Sequence, residues 1–359
     1  REGLTVHMAD ALIAPAVAAT MYSASAVTAG VCVHKLRRED APQKLPAMAV
    51  MSALVFAGQM INYTIPGTGS SGHLCGGLLL TGILGPYAGF LSMVVILLIQ
   101  ALFFADGGLL ALGANIWNMA FYGCFAGYFL IYRPIMKSRL FSARGDRGSA
   151  RIKLILASVL GCVLTLQLGA FSVVLETSAS GITELPFGAF VAVMQPIHLA
   201  IGLIEGLITS AVLIFVYEAR PELLPDVRSG EGEAKASLKS TLLVLTLVVA
   251  VVGGGLSLVA SDNPDGLEWS LFGNAEAGYS ENMGLSEEDF GVHSSAADKA
   301  AEIQNSTAIL PDYSLSSDPD SAAGTSLSGL VGSAVVAGLA VLICLLGGFF
   351  RKKNRCANS

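Results

Sequence analysis

The chain has 359 residues, 53% hydrophobic and only 13% charged, with a formal net charge of −6. Soluble domains carry roughly a quarter charged residues, so this composition excludes both a water-soluble enzyme domain and a disordered chain. The acidic balance leaves no basic footprint for nucleic acid. A mean hydropathy of +0.65 suggests packed membrane helices.

A helix that crosses a membrane needs about 20 apolar residues. Eight runs qualify in chain order: 8–33, 47–63, 86–105, 108–132, 153–175, 187–217, 238–260 and 326–350. A ninth run, Leu74–Leu84, is too short to cross unaided and stops at Gly85-Pro86, a helix breaker. Basic residues decide whether it crosses. Segments 34–46, 133–153, 218–239 and the tail after Phe350 hold 19 of the 21 Lys and Arg residues, which places all four on the cytoplasmic side. Parity then requires Leu74–Leu84 to cross. The fold class expected is an all-α integral membrane protein with nine transmembrane helices, N-terminus outside and C-terminus inside.

The organisation expected has five parts. Residues 1–5 are an extension outside the native start, and 6–217 form a seven-helix membrane unit. Residues 218–237 are a cytoplasmic linker. Residues 238–350 are a two-helix module with an extracytoplasmic loop at 261–325, and 351–359 are a basic cytoplasmic tail. The span 262–325 holds 13 of the 27 acidic residues and one basic residue, Lys299, and reads as a partly flexible loop. Six cysteines, mostly in apolar runs and without CxxC spacing, give no disulfide framework.

The stretch 62–73 is irregular and rich in Gly, Ser and Thr. Such backbone survives near a membrane only where protein or a cavity covers it, so 62–73 is the leading candidate to line a site. His34 and His293 read as bland. His198 and Glu205, seven residues apart, share a helix face and form a candidate intramembrane network. His7 and His73 fall on the same side of the expected topology, and two imidazoles there suit a transition metal. If translation starts at Val6, read as Met from an alternative initiator codon, the terminal amine, the His7 amide and the His7 imidazole close a five- and a six-membered chelate ring. His73 would complete a square plane, which favours Ni(II) or Cu(II), with Co(II) compatible.

Several stretches resemble the CbiM/NikM family, the substrate-binding membrane subunits of energy-coupling-factor (ECF) cobalt and nickel importers. They are His7-Met-Ala-Asp10, Gln59-Met-Ile-Asn62, Gly67-Thr-Gly-Ser-Ser-Gly-His73, Asp106-Gly-Gly, Asn115-Ile-Trp-Asn118 and Ile201-Gly-Leu-Ile-Glu205. The resemblance implies metal ligands at residue 6, His7 and His73, with Gln59, Asn62 and Asn115 orienting ligands or closing the loop. Asn263-Pro-Asp-Gly-Leu-Glu-Trp269 followed by Leu310-Pro-Asp-Tyr313 resembles the PDGLE domain, an accessory subunit of such importers, here fused.

The implied function is substrate capture for an ECF-type ABC importer in a bacterial or archaeal cell membrane. Its partners are a transmembrane coupling subunit, ATPase subunits, membrane lipid and the metal ion, with no nucleic acid. Co(II) or Ni(II) is cargo, no cofactor is expected, and the chain is no enzyme. It contains no GxxxxGK[ST] to bind ATP, and its Gly67-x-Gly69-x-x-Gly72 lacks the βαβ context of a dinucleotide loop. The alternative from another class is a proton-coupled secondary transporter using Glu205 and His198.

Overall fold

The apolar runs fold as helices whose ends are set by Pro and Gly. The computed structural model describes residues 7–37, 45–138, 147–182, 184–227, 235–275, 278, 291–292, 294–315 and 322–356. Val6, residues 1–5 and His293 lie outside the described residues. After a single turn at Asp10–Leu12, α1 (Pro15–Leu36) starts with Pro at its first position, where the missing N–H costs nothing. α2 covers Leu45–Gln59.

The 62–73 stretch differs from its sequence reading, because a small β-hairpin lies within it. β1 (Tyr63–Ile65) pairs antiparallel with β2 (Ser70–Gly72), Tyr63 opposite Gly72 and Ile65 opposite Ser70. Gly67 and Gly69 take the positive φ that its turn requires. The short run becomes α3 (Gly77–Leu84). At 1.5 Å per residue it spans only about 12 Å, far less than a membrane core of about 30 Å. All eight of its residues are buried, walled by α4 (Pro86–Phe103), the fifth helix and the long helix Phe187–Ala219. Protein therefore covers this segment.

α5 begins as Leu112–Asn115, continues with π-helical bonding over Ile116–Tyr132 and ends as Arg133–Lys137. The wider turn distinguishes it from the other spans. α6 (Arg147–Ala179) and α7 (Phe187–Ala219) form the longest paired interface of the bundle. Gly202 and Gly206 of α7 face the α6 backbone at Val163 and Val159, where a Cβ would come within 2.9 and 2.5 Å.

The C-terminal region adds α8 (Leu238–Gly254), α9 (Gly266–Phe272), α10 (Ser295–Thr307) and α11 (Ala322–Cys356). α8 and α11 pack against each other and against α2. Within 262–325 the described residues include two helices, α9 and α10, whose ends composition alone does not show. Asp265 caps α9 by accepting from the Leu267 and Glu268 amides, both at 2.8 Å. The segment is tied to the first unit by backbone bonds that no periodicity reveals. The Ser71 amide donates to Pro264 O (2.7 Å), Ser261 N to Asn62 O (2.7 Å), Val292 N to Ala11 O (2.8 Å) and Asp312 N to Phe104 O (2.8 Å).

Among the described residues, six helices are long and apolar enough to cross a membrane: Pro15–Leu36, Pro86–Phe103, Gly148–Ala179, Phe187–Ala219, Leu238–Val259 and Ala323–Leu342. Leu199, Leu203, Leu207, Leu243, Leu247 and Val251 are exposed on them, an apolar exterior suited to lipid.

Candidate metal site

His7 is fixed by the loop between α4 and α5. The Met8 amide donates to Asn115 Oδ1 and the Asn115 Nδ2 donates to Met8 O, both at 3.1 Å, so one side chain holds both backbone groups of the residue after His7. Gly108 N also donates to Met8 O at 3.0 Å, and Asp10 Oδ1 accepts from Ala111 N at 3.0 Å. Gly107 has φ +81°, and a Cβ there would lie 2.7 Å from His7 Cβ. The loop thus needs glycine at this position to approach the histidine.

His73 follows β2, with Nδ1 3.2 Å from the carbonyl of Leu74. The turn behind it is held from α7. Glu205 Oε2 accepts from Cys75 N at 2.9 Å and Oε1 from Gly76 N at 3.0 Å. Gln59 Nε2 donates to Cys75 O at 2.8 Å, completing that turn's polar contacts. The two imidazoles meet with ring centroids 5.6 Å apart and planes tilted by 53°. A ring centroid lies about 3 Å from a metal bound at one of its nitrogens, so an ion fits between these rings.

A cavity of about 100 Å³ opens beside them, bounded by His7, His73, Asn115, His198 and Asp265 among others. Asp106 Oδ1 pairs with His7 Nδ1 at 2.7 Å, and both groups are buried. Burial alone would lower the His7 pKa, but the Asp106 charge and hydrogen bond outweigh it and hold the imidazole above its ordinary value. Burial would likewise raise Asp106, and His7 reverses that to keep the carboxyl below its usual range. His73 is brought down to about 4, first by burial and then by His7, so it stays a neutral donor. Burial pushes Asp265 up to about 7.

Among the described residues no three His, Cys, Asp or Glu side chains converge to hold a metal. A two-imidazole site needs further donors, and the chelate expected from sequence would supply them as backbone nitrogen beside His7. The chelate expected from sequence closes its six-membered ring through Nδ1, the nitrogen that here faces Asp106. A half-turn of the ring would carry Nε2 to the Asp106 side and release Nδ1 to the metal.

The structure places the remaining candidates differently from one another. Val6, the amine donor, lies outside the described residues. Asn115 reaches the His7 segment directly, and Gln59 reaches the turn after His73. Asn62 contributes its backbone carbonyl to the contact with Ser261. His198 borders the cavity, its Nδ1 on Met194 O at 2.8 Å, while Glu205 serves the Cys75–Gly76 turn. Asp106 and Tyr313, whose hydroxyl donates to Asp106 Oδ2 at 2.6 Å, lie in the stretches Asp106-Gly-Gly and Leu310-Pro-Asp-Tyr313 that carry the resemblances, yet the sequence assigns neither a role at the site. Asp106 stands as a lone acid between two apolar runs, whereas Tyr313 is marked only by the resemblance.

Comparison with known proteins identifies the family. Residues 7–223 match the family model described as CbiM, the cobalt uptake substrate-specific transmembrane region, and residues 239–347 match the PDGLE domain. A fused NikMN protein of Archaeoglobus fulgidus is 33% identical, the match covering 93% of this chain and 96% of that protein. The fused nickel transport protein NikMN of Rhodobacter capsulatus is 30% identical with the same coverage. The cobalt transport protein CbiM of Sorangium cellulosum is 34% identical, covering 54% of this chain and 83% of its own length. A solved truncated transition metal transporter is similar at 31% identity and a TM-score of 0.49, covering 59% of this chain and 98% of that one.

Proposed function

The chain belongs to the CbiM-type family of cobalt and nickel transport proteins, carries a fused PDGLE domain and is a multi-pass membrane protein, and from this premise we propose that it is the substrate-capture component of an ECF-type ABC importer for Ni(II) or Co(II). The observation that carries this reading is the meeting of His7 and His73, distant in sequence, at 5.6 Å beside a cavity. The metal is bound by the terminal amine of residue 6, the amide and imidazole of His7, and the imidazole of His73. Asn115 and Gln59 position those donors, and the 62–73 hairpin seals the ion from water. All the protein donors are nitrogens, which suits these two metals. The R. capsulatus relative of similar length is named for nickel, which makes Ni(II) the first cargo to test.

With the N-terminus outside, as the distribution of basic residues suggests, the site lies on the extracytoplasmic side. Separate coupling and ATPase subunits supply the energy. The exposed face of α1, with Ala19, Ser23, Ala26 and Gly30 outward, suits close docking of the coupling subunit. The test is uptake of radiolabelled Ni(II) by cells expressing the chain with and without its ATPase subunits. Uptake that needs an active ATPase and is lost in His73→Ala supports the reading. Uptake that continues without ATPase, follows the proton gradient and is lost in Glu205→Gln would replace it with secondary transport. Glu205 spends both carboxylate oxygens on the Cys75 and Gly76 amides, an arrangement suited to a fixed structural acceptor.

A further inference from the structure

We propose that Tyr313, from the C-terminal module, is a positioning residue of the metal site: its hydroxyl fixes Asp106, and Asp106 fixes the His7 imidazole. The proposal rests on the metal reading above and extends the site across the boundary between the two units. The three groups form one chain of contacts. Tyr313 Oη donates to Asp106 Oδ2 at 2.6 Å, and Asp106 Oδ1 pairs with His7 Nδ1 at 2.7 Å. Tyr313 therefore takes one oxygen of a buried carboxylate and leaves the other for the histidine. Without the hydroxyl, the carboxylate is free to turn and His7 loses a defined partner.

The placement of Tyr313 is over-determined. Asp312 and Tyr313 both hold positive φ, 51° and 57°, a region unfavourable to residues with a Cβ. The neighbouring structure enforces it. Asp312 N donates to Phe104 O at 2.8 Å, and Leu310 N donates to Phe103 O at 3.1 Å. The phenol ring stacks on Phe104 with centroids 4.7 Å apart and planes 19° from parallel, and meets Phe56 edge-on at 6.4 Å. Gln304 of α10 adds a bond to Gly107 O at 2.7 Å, pinning the loop between Asp106 and the His7 contact. A strained backbone, a stacked ring and an oriented hydroxyl all converge on one carboxylate. Carboxylate partners of metal-binding histidines commonly set ring orientation and basicity, and their loss costs about 10- to 100-fold in metal affinity. The half-turn that gives Nδ1 to the metal turns Nε2 toward the side of the carboxylate that Tyr313 holds, and in this proposal Asp106 then accepts from Nε2 in the loaded site.

The test uses the chain beginning with Met in place of Val6 and otherwise intact, purified in detergent and titrated with Ni(II). Tyr313→Phe keeps the stacked ring and removes one oxygen. The expected result is an affinity about tenfold weaker, with the metal-free protein still folded and the Ni(II) ligand-field band shifted. Asp106→Asn weakens binding further. Because Tyr313 acts through Asp106, the double variant binds as Asp106→Asn alone does. In metal-free protein, the ring-nitrogen NMR shifts of His7 move in Tyr313→Phe, a readout that requires no binding. Tight wild-type binding with an unaffected Tyr313→Phe, or losses that simply add in the double variant, would overturn this proposal alone. A wild-type chain that binds neither Ni(II) nor Co(II) would overturn the metal reading and this one with it.

Discussion

Glu205 and Asp106 are both buried carboxylates, yet their partners differ in kind. Glu205 lies within α7 and gives its two oxygens to backbone amides, Cys75 N at 2.9 Å and Gly76 N at 3.0 Å. Asp106 lies in a loop and gives its oxygens to side chains, His7 at 2.7 Å and Tyr313 at 2.6 Å. A carboxylate saturated by backbone fixes the course of the chain. One bonded to an imidazole and a phenol fixes rings that can act on something else. The first region is scaffold that holds His73 from behind, and the second is machinery that orients His7.

The largest effect expected is from His73→Ala, which removes one of the two facing imidazoles. Nickel affinity should fall more than about 100-fold, since a ligand counts for more than its outer partners, and equilibrium dialysis would measure it. Glu205→Ala comes next and acts on stability. Two buried amides lose their acceptor, at about 1–3 kcal/mol for each unsatisfied group, so the thermal midpoint should drop clearly. Glu205→Gln keeps an acceptor oxygen and should retain most metal affinity. A Gln variant as damaging to binding as His73→Ala would break the distinction between scaffold and machinery. Asn115→Ala releases the clamp on Met8 and should cost about tenfold in affinity, read by the same dialysis. Smallest for binding is Gly30→Trp on the exposed face of α1, where a Cβ meets nothing within 4 Å. Affinity should be unchanged while uptake falls, and unchanged uptake would remove α1 as the docking face.

Much of the helical frame was legible because apolar runs and Gly-Pro breaks are local signals. The run 86–105 became α4 (Pro86–Phe103), and 187–217 became α7 (Phe187–Ala219). The pairing of His7 with His73 was inferred from shared sidedness and from resemblance, and Asn115 was singled out by resemblance alone. The hairpin at 63–72 was hidden because three-residue strands show too few alternations to carry a period. The helices within 262–325 were hidden for another reason. Composition reports mean polarity, whereas this segment is held by caps at Asp265 and Ser294 and by backbone bonds to Asn62, Ala11 and Phe104. The role of Tyr313 could not be read from its motif, because it depends on a contact 207 residues away in the chain.

The central claim is that His7 and His73 jointly hold one metal ion. It is tested most directly by the metal content and affinity of the purified chain beginning with Met in place of Val6, beside the same chain carrying His73→Ala. The account predicts one Ni(II) or Co(II) per chain in the first and loss of that ion in the second. Equal binding by both would contradict it.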